Sequence, residues 1–445
     1  MKYYLQCVQC NHITPDFKAW FAQNQVCPVC GNKHSEAWYE DDPNYTKLPA
    51  LLEDADTYKG VFKNTFWRYF DYLPLRDSTH VVSLNEGAVP IEQWAFLEDY
   101  ARSQYHIDLQ VYVCRNDLNG GTGTFKDIAA SLAASVLREN GVEQYCVAST
   151  GNTATAYGRY LALAGINASI FIPEDALQVS EASISAYGQQ ALRAHGDYAK
   201  AKEIAGQYAQ KYQVLISTGN IDPLRVEAKK TMVFEWLRQL KRIPDVYIQA
   251  VSGGTGPIAV DKGMREVQKH KNYAALQMPR LIMVQPDGCD PMTTAWETAQ
   301  KQGFQDGFEK QYPIIPNPQT SIPTLATGNP ATYPIVAKLV QKTNGAFLRM
   351  HERKLADYGK LVAFERNVLL GPASAVCVAG FFESLQKGLL HNGEMVLLNI
   401  GEGIGRAPDF LNQLKATSSL IDSVEQCKPH TKSALRQALW QAIQN

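Results

Sequence analysis

Four of the nine cysteines fall as two pairs, Cys7-Val8-Gln9-Cys10 and, sixteen residues further on, Cys27-Pro28-Val29-Cys30. Two CxxC knuckles at this separation can close a tetrahedral shell of thiolates, the coordination that structural Zn²⁺ prefers. Gly31 follows the second pair and tolerates the positive φ that a knuckle requires. His12 and His34 lie close enough in sequence to replace a ligand. Four thiolates already leave no open position, so the metal expected at Cys7, Cys10, Cys27 and Cys30 is structural and couples to folding of the ribbon. The other five cysteines, Cys114, Cys146, Cys289, Cys377 and Cys427, are scattered in apolar surroundings and read mostly as small buried hydrophobes.

Three further segments have residue types that do chemistry. In Asn119-Gly120-Gly121-Thr122-Gly123-Thr124-Phe125-Lys126-Asp127, a glycine-rich turn delivers a lysine to the start of a helix. The helix dipole and an apolar neighbour both lower a lysine's pKa toward a usable nucleophile, as Schiff-base chemistry requires. A solvated first-turn lysine has the same local sequence. Ser149-Thr150-Gly151-Asn152-Thr153 offers hydroxyls, an amide and backbone N–H groups at a helix start, which suits a carboxylate and equally suits an ordinary N-cap. Ser252-Gly253-Gly254-Thr255-Gly256-Pro257-Ile258-Ala259 reads as a phosphate cradle. From Gly254 it also fits the dinucleotide pattern G-x-G-x-x-A, so a nicotinamide enzyme is an alternative, with Asp287 a late match for the acidic residue that pattern needs.

The elements that must position these turns follow from periodicity. Short apolar runs at 109–114, 144–149, 168–172, 246–251, 281–284 and 395–400 alternate with helical patterns at 125–140, 153–164, 198–212, 226–242, 258–270 and 372–387. Such alternation predicts βαβ units and a mostly parallel sheet covered on both faces, with ligands at the carboxyl ends of the strands. Residues 40–80, rich in aromatics such as Phe66, Trp67, Tyr69 and Phe70, read as a packed connector, and 405–445 as a closing helix and tail.

With 445 residues, 45% of them hydrophobic, and a net charge of −1, the chain suffices for two or three cores and carries no general attraction to nucleic acid. Lys2, Lys18 and Lys33 give the ribbon a thin basic complement, so a zinc-ribbon nucleic-acid binder is the weaker alternative. No run approaches the ~18 apolar residues of a membrane span, and no apolar export segment opens the chain. The expectation is a cytoplasmic protein without membrane or nucleic-acid partners.

Taken in order, the three turns resemble those of fold-type II pyridoxal-phosphate enzymes. Ser83-Leu84-Asn85-Glu86-Gly87-Ala88-Val89-Pro90, Gly123-Thr124-Phe125-Lys126-Asp127, Asp222-Pro223-Leu224-Arg225-Val226-Glu227 with Lys230-Thr231, Thr327-Gly328-Asn329-Pro330 and Gly371-Pro372-Ala373-Ser374-Ala375 resemble the threonine synthase group. The similarity spans residues 80–405, and an N-terminal zinc ribbon is common in that group. Two departures stand out: Ile128 where an arginine is usual, and Ile400 where a threonine meets the pyridine nitrogen. The ending Leu398-Asn399-Ile400-Gly401, together with Gln249-Ala250-Val251, looks more like cysteate synthase, a paralogue that makes cysteate from O-phosphoserine and sulfite.

The resemblance implies a tryptophan synthase β-like α/β fold with two parallel-sheet subdomains. A ribbon at 1–40 would precede a large cofactor-binding part at 41–142 and 214–445 and a small mobile part at 143–213. It implies that Lys126 holds pyridoxal phosphate and becomes the general base, that Asn152 meets the 3′ oxygen, and that Gly253, Gly254, Thr255 and Gly256 hold the phosphate. Ser149, Thr150 and Thr153 would grip the substrate carboxylate. Arg225 or Lys230 would anchor the leaving phosphate unless they form surface ion pairs. Asn399 and Glu402 are near the expected pyridine contact. A homodimer is common for this fold.

Overall fold

The computed structural model describes residues 2–53, 62–427, 429 and 431–444. Part of the expected connector, 54–61, lies outside them. The first forty residues form an antiparallel sheet in which β1 (Tyr3–Cys7) lies between β2 (Ile13–Thr14) and β3 (Ser35–Tyr39). Tyr3, Leu5 and Cys7 alternate inward, the period-2 pattern of a half-covered strand. Both cysteine pairs sit on the same kind of turn. The Cys7 N–H donates to the His12 carbonyl at 2.9 Å and the Cys27 N–H to the Asn32 carbonyl at 2.8 Å. Asn11 and Gly31 supply the left-handed residues, with φ of 59° and 72°.

The ribbon is fastened to the body through buried charge. Glu227 accepts from the Ala37 N–H and the Tyr39 hydroxyl, both at 2.9 Å. Lys262 Nζ donates to the Ala37 carbonyl at 2.8 Å and lies 3.6 Å from the Trp38 ring centroid. Lys230 bridges Glu227 and Glu266, Lys262 reaches Glu266 as well, and all four side chains are 0% exposed. Two ammonium and two carboxylate groups thus balance in the dry interface between β3 and the helices Pro223–Lys229 and Thr255–Val267. The pattern read at 226–242 as one helix is two, Pro223–Lys229 and Thr231–Leu240, parting at Lys230, whose amine is drawn into this cluster.

The body contains two sheets. The larger runs in the order β12 (Ala346–Met350), β11 (Arg280–Pro286), β10 (Val246–Ala250), β13 (Met395–Ile400), β5 (Gln110–Arg115), β4 (Ile91–Gln93). All its pairs are parallel except the short edge strand β4. The smaller sheet is parallel throughout, ordered β8 (Gln190–Arg193), β7 (Asn167–Ile172), β6 (Gln144–Ala148), β9 (Leu215–Ile216). Strands β4, β8, β9 and β12 escape sequence periodicity because they are two to five residues long and sit at sheet edges.

Hydrophobic residues cover both faces of the larger sheet. On β13, Leu397 joins the core shared with the ribbon and connector, while Val396, Leu398 and Ile400 join the opposite core with the Pro372–Gln386 helix. That alternation later decides which β13 side chain meets the pocket. The closing helix, Lys432–Gln444, docks Trp440 on Tyr100 with ring centroids 4.9 Å apart. Cys114, Cys146, Cys289 and Cys377 are buried, whereas Cys427 is exposed. Among the described residues no helix is long and apolar enough to cross a membrane.

Removing one member of a buried ion network leaves its partners uncompensated, at a cost of about 3–5 kcal/mol. Lys262→Met is therefore expected to lower stability by about that amount in urea unfolding. A loss below about 1 kcal/mol, the range of solvated surface pairs, would contradict the dry network.

Candidate active site

Lys126 opens the Lys126–Glu139 helix, and the turn before it is held from several sides. Asp127 folds back so that its carboxylate accepts from the Thr122 hydroxyl (2.6 Å), the Thr122 N–H (2.7 Å) and the Thr124 N–H (3.2 Å). Asn119 accepts from the Gly87 N–H at 2.8 Å and donates to the carbonyls of Asn116 and Thr124, each at 3.0 Å. Gly87 belongs to the opening motif, whose buried Glu86 accepts from Ser83, the Leu84 N–H and the Tyr160 hydroxyl. A Cβ on Gly120 would stand 2.0 Å from the Leu84 carbonyl oxygen, so only glycine lets the two segments touch. The Phe125 N–H donates to the Gly401 carbonyl at 2.9 Å, which brings the end of β13 over the lysine.

Burial pulls the Lys126 pKa down to about 8, against the attraction of Glu402 and with help from the positive charge of Arg225. An amine titrating there is far more often neutral at working pH than a free lysine, as the sequence reading required.

One pocket collects nearly every residue singled out in the sequence. Lys126, Ser149, Thr150, Asn152, Thr153, Arg225, Gly253, Gly254, Thr255, Gly256 and Asn399 all line it. Helix Thr255–Val267 begins three residues earlier than its apolar pattern suggests, with Gly254 preceding it at φ 78°. Thr255 and Gly256 therefore sit in the first turn, where N–H groups lack helical partners and are free to meet an anion. A Cβ on Gly256 would come within 2.1 Å of the Gln249 side chain. Ser149 spends its oxygen locally, accepting from the Gly151 N–H at 3.2 Å and the Ala154 N–H at 3.1 Å, which caps helix Asn152–Leu163. Asn152 donates to Glu402 and accepts from Arg406 Nε at 3.2 Å.

Two expectations need correction. Lys230 is absent from the pocket, because its Nζ is spent in the ribbon interface. Arg225 is not at the surface: it is 6% exposed, and its guanidinium donates to the Tyr157 hydroxyl (3.3 Å) and Ser217 Oγ (2.9 Å). Ile400 also points away from the pocket, and Asn399 occupies the facing position on β13. Asn399 Oδ1 accepts from Asn116 at 2.8 Å, leaving Nδ2 buried without a partner.

Glu402 is nearer the chemistry than its sequence position showed. Buried at 1% exposure, it accepts from the Ala373 N–H at 2.9 Å and from Asn152, and burial raises its pKa. Sequence reasoning missed Arg406, which ties Asn152 to Thr155 and Ser180, and Lys229, a pocket-lining neighbour of the wrongly chosen Lys230. Adjacent lysines in a helical segment cannot be sorted by pattern until it is known which face is covered. Asp287, the acid a dinucleotide reading would need, lies outside this pocket and binds His351 Nδ1 at 2.8 Å and the Glu352 N–H at 3.1 Å.

Away from this pocket, Cys7, Cys10, Cys27 and Cys30 bring their Sγ atoms within 4.8 Å of one another. The Cys7–Cys30 and Cys10–Cys27 separations are 3.6 and 3.5 Å. A thiolate tetrahedron around zinc has edges of about 3.8 Å, so the set fits that ion. Lys2 turns inward to the Phe70 carbonyl at 2.7 Å, which removes it from any basic face of the ribbon.

The chain is 28% identical to the threonine synthase of Methanocaldococcus jannaschii over 348 residues, 77% of this chain and 81% of that one. It is 27% identical to the threonine synthase of Bacillus sp. (strain ULM1) over 383 residues, covering 85% of this chain and 99% of the relative. Among solved structures, an O-ureido-L-serine synthase bound to O-ureido-L-serine superposes with a TM-score of 0.57 at 16% identity, over 82% of this chain and 99% of that one. Cysteine synthase from Entamoeba histolytica gives 0.56 at 14% identity, over 80% and 93%. These superpositions establish a fold-type II, tryptophan synthase β-like architecture. The family model for pyridoxal-phosphate-dependent enzymes matches residues 82–401, and with the buried lysine, glycine cradle and fold in place, the chain belongs to that family.

Proposed function

We propose that this pocket replaces the phosphate of an O-phospho amino acid, and that its reaction is cysteate synthesis from O-phospho-L-serine and sulfite. The observation supporting the reading is the gathering, in one pocket, of a lowered-pKa lysine, a glycine turn at a helix start and a buried arginine whose donors end on hydroxyls. The residues fit pyridoxal phosphate. Lys126 would bind it covalently, Gly253, Gly254, Thr255 and Gly256 would hold its phosphate, and Asn152 would meet its 3′ oxygen. The orphaned Asn399 Nδ2 offers a donor for a ring nitrogen. When bound, the cofactor supplies an electron sink for the pair released at Cα.

The chain's own groups do the rest. Thr150, Thr153 and the backbone N–H groups at the start of helix Asn152–Leu163 orient the carboxylate, while Ser149 braces that turn. Freed Lys126 removes the Cα proton and later returns it. Arg225 neutralises the phosphate that departs from Cβ with the electrons of the C–O bond. The sulfur of sulfite then forms the new bond at Cβ. The two sheets would form the large and small subdomains that enclose these steps, and Cys7, Cys10, Cys27 and Cys30 would hold structural zinc in the ribbon. A second reading, threonine synthesis from O-phosphohomoserine and water, is supported by the names of the relatives. The ending Leu398-Asn399-Ile400-Gly401, which turns Asn399 to the pocket where the threonine synthase group has a threonine ending, is the feature that favours the first.

Phosphate release from O-phosphoserine with sulfite, beside O-phosphohomoserine alone, separates the two. Sulfite-dependent turnover yielding cysteate is expected, and turnover of phosphohomoserine alone would replace the proposal with the second reading. Lys126→Ala is expected to abolish both reactions while leaving the circular dichroism spectrum unchanged. In the apoenzyme, the rate of cofactor capture should rise with pH as the neutral amine forms and level off above about 8. A rate still climbing at pH 10 would mean a lysine with the ordinary pKa. Elemental analysis is expected to find one zinc per chain, lost in Cys10→Ser; a metal-free, fully folded ribbon would refute the zinc assignment.

A further inference from the structure

Lys229 ends the Pro223–Lys229 helix and no motif marks it. It is 3% exposed, yet it lines the pocket. Among the described residues its Nζ has no hydrogen-bond or ion-pair partner, and its contact is the Phe125 ring, whose centroid lies 4.5 Å away. An unpaired buried ammonium costs several kcal/mol, so a protein that keeps one has a use for it. Burial, then the positive charges of Lys126 and Arg225, holds its pKa well below that of a free lysine, as expected for a cation lacking its counter-ion.

The charges around the pocket do not balance. Lys126, Arg225 and Lys229 face the same space, and among the described residues the one carboxylate in its lining is Glu402. Glu402 is already engaged by Asn152 and the Ala373 N–H. The donors of Arg225 end on hydroxyls, and Ser217, one of the two, donates in turn at 3.1 Å to the buried carboxylate of Asp222, whose charge supports Arg225. The glycine cradle at 253–256 holds a phosphate through backbone N–H groups and needs none of these side chains. Lys126 thus has Glu402 and Arg225 has Asp222 as a neighbouring acid, and among the described residues Lys229 is left with none.

We propose that Lys229, with Arg225, forms a second oxyanion subsite beside the glycine cradle, for a small dianion of the phosphate and sulfite class. The proposal rests on the phosphate-replacing reading above, in which the departing and arriving groups are both such anions. Phosphate leaves with the electron pair of the Cβ–O bond, and sulfite supplies the pair for the Cβ–S bond, so one subsite can serve each in turn. Lys229 thereby selects small dianions over neutral nucleophiles.

The test uses holoenzyme reduced with borohydride, which fixes the cofactor on Lys126 and keeps its phosphate in the cradle. Inorganic phosphate and sulfite are then titrated separately by calorimetry. Wild type should bind one phosphate per chain. Lys229→Met should bind it about tenfold or more weakly, the loss of one charge-assisted hydrogen bond, and Lys229→Arg should restore binding. Sulfite competing with phosphate assigns the subsite to both groups, whereas phosphate binding without competition assigns it to the leaving group alone. Undiminished phosphate binding by Lys229→Met would overturn the subsite. So would loss of the cofactor itself from that variant, which would place Lys229 in the cofactor's cradle. Failure of wild type to take cofactor on Lys126 would instead sink the underlying reading.

Discussion

An amine kept out of water but open to a ligand is expensive to maintain, and the position of Lys126 governs much of the surrounding architecture. Its turn cannot rely on solvent to satisfy the backbone, so Asp127 and Asn119 bond it from within, and Asn119 ties it to Gly87 of a second segment. Glycines at the contact points let those segments approach to distances no side chain permits. The end of β13 crosses above through the bond from Phe125 to Gly401. Lowered pKa and restricted access are thus two results of one packing arrangement.

The N-terminal ribbon belongs to this arrangement too. Its third strand is bonded to Glu227 and Lys262, which lie on the two helices that carry Arg225, Lys229 and the glycine cradle. A buried ion cluster holds its partners with more directional specificity than apolar contact does, since each charge must find its counterpart or pay desolvation. The ribbon therefore works as a clamp on the helices behind that side of the pocket.

Much of the fold was legible in local pattern. The parallel strands at the core of the larger sheet, the helices that follow them and the two cysteine knuckles all appear where apolar periodicity and glycine spacing place them. Short edge strands such as β9 did not, because two residues carry no periodic signal. The helix around 226–242 read as continuous because its apolar stripe persists; the structure divides it at Lys230, whose amine meets Glu227 of the first helix and Glu266 of the Thr255–Val267 helix.

By itself, the sequence determined that Lys126 starts a helix after a glycine turn, that a second glycine-rich turn precedes another helix, and that four cysteines are spaced as a ligand set would be. Those features depend on neighbours a few residues apart. Only the tertiary structure decided that Asn399 rather than Ile400 meets the pocket, and that Lys229 rather than Lys230 lines it. Side-chain direction alternates along a strand and rotates around a helix, so a one-residue change of position reverses or turns the group away. Which direction is inward depends on the partners that cover each face, and those partners lie tens to hundreds of residues away in the chain.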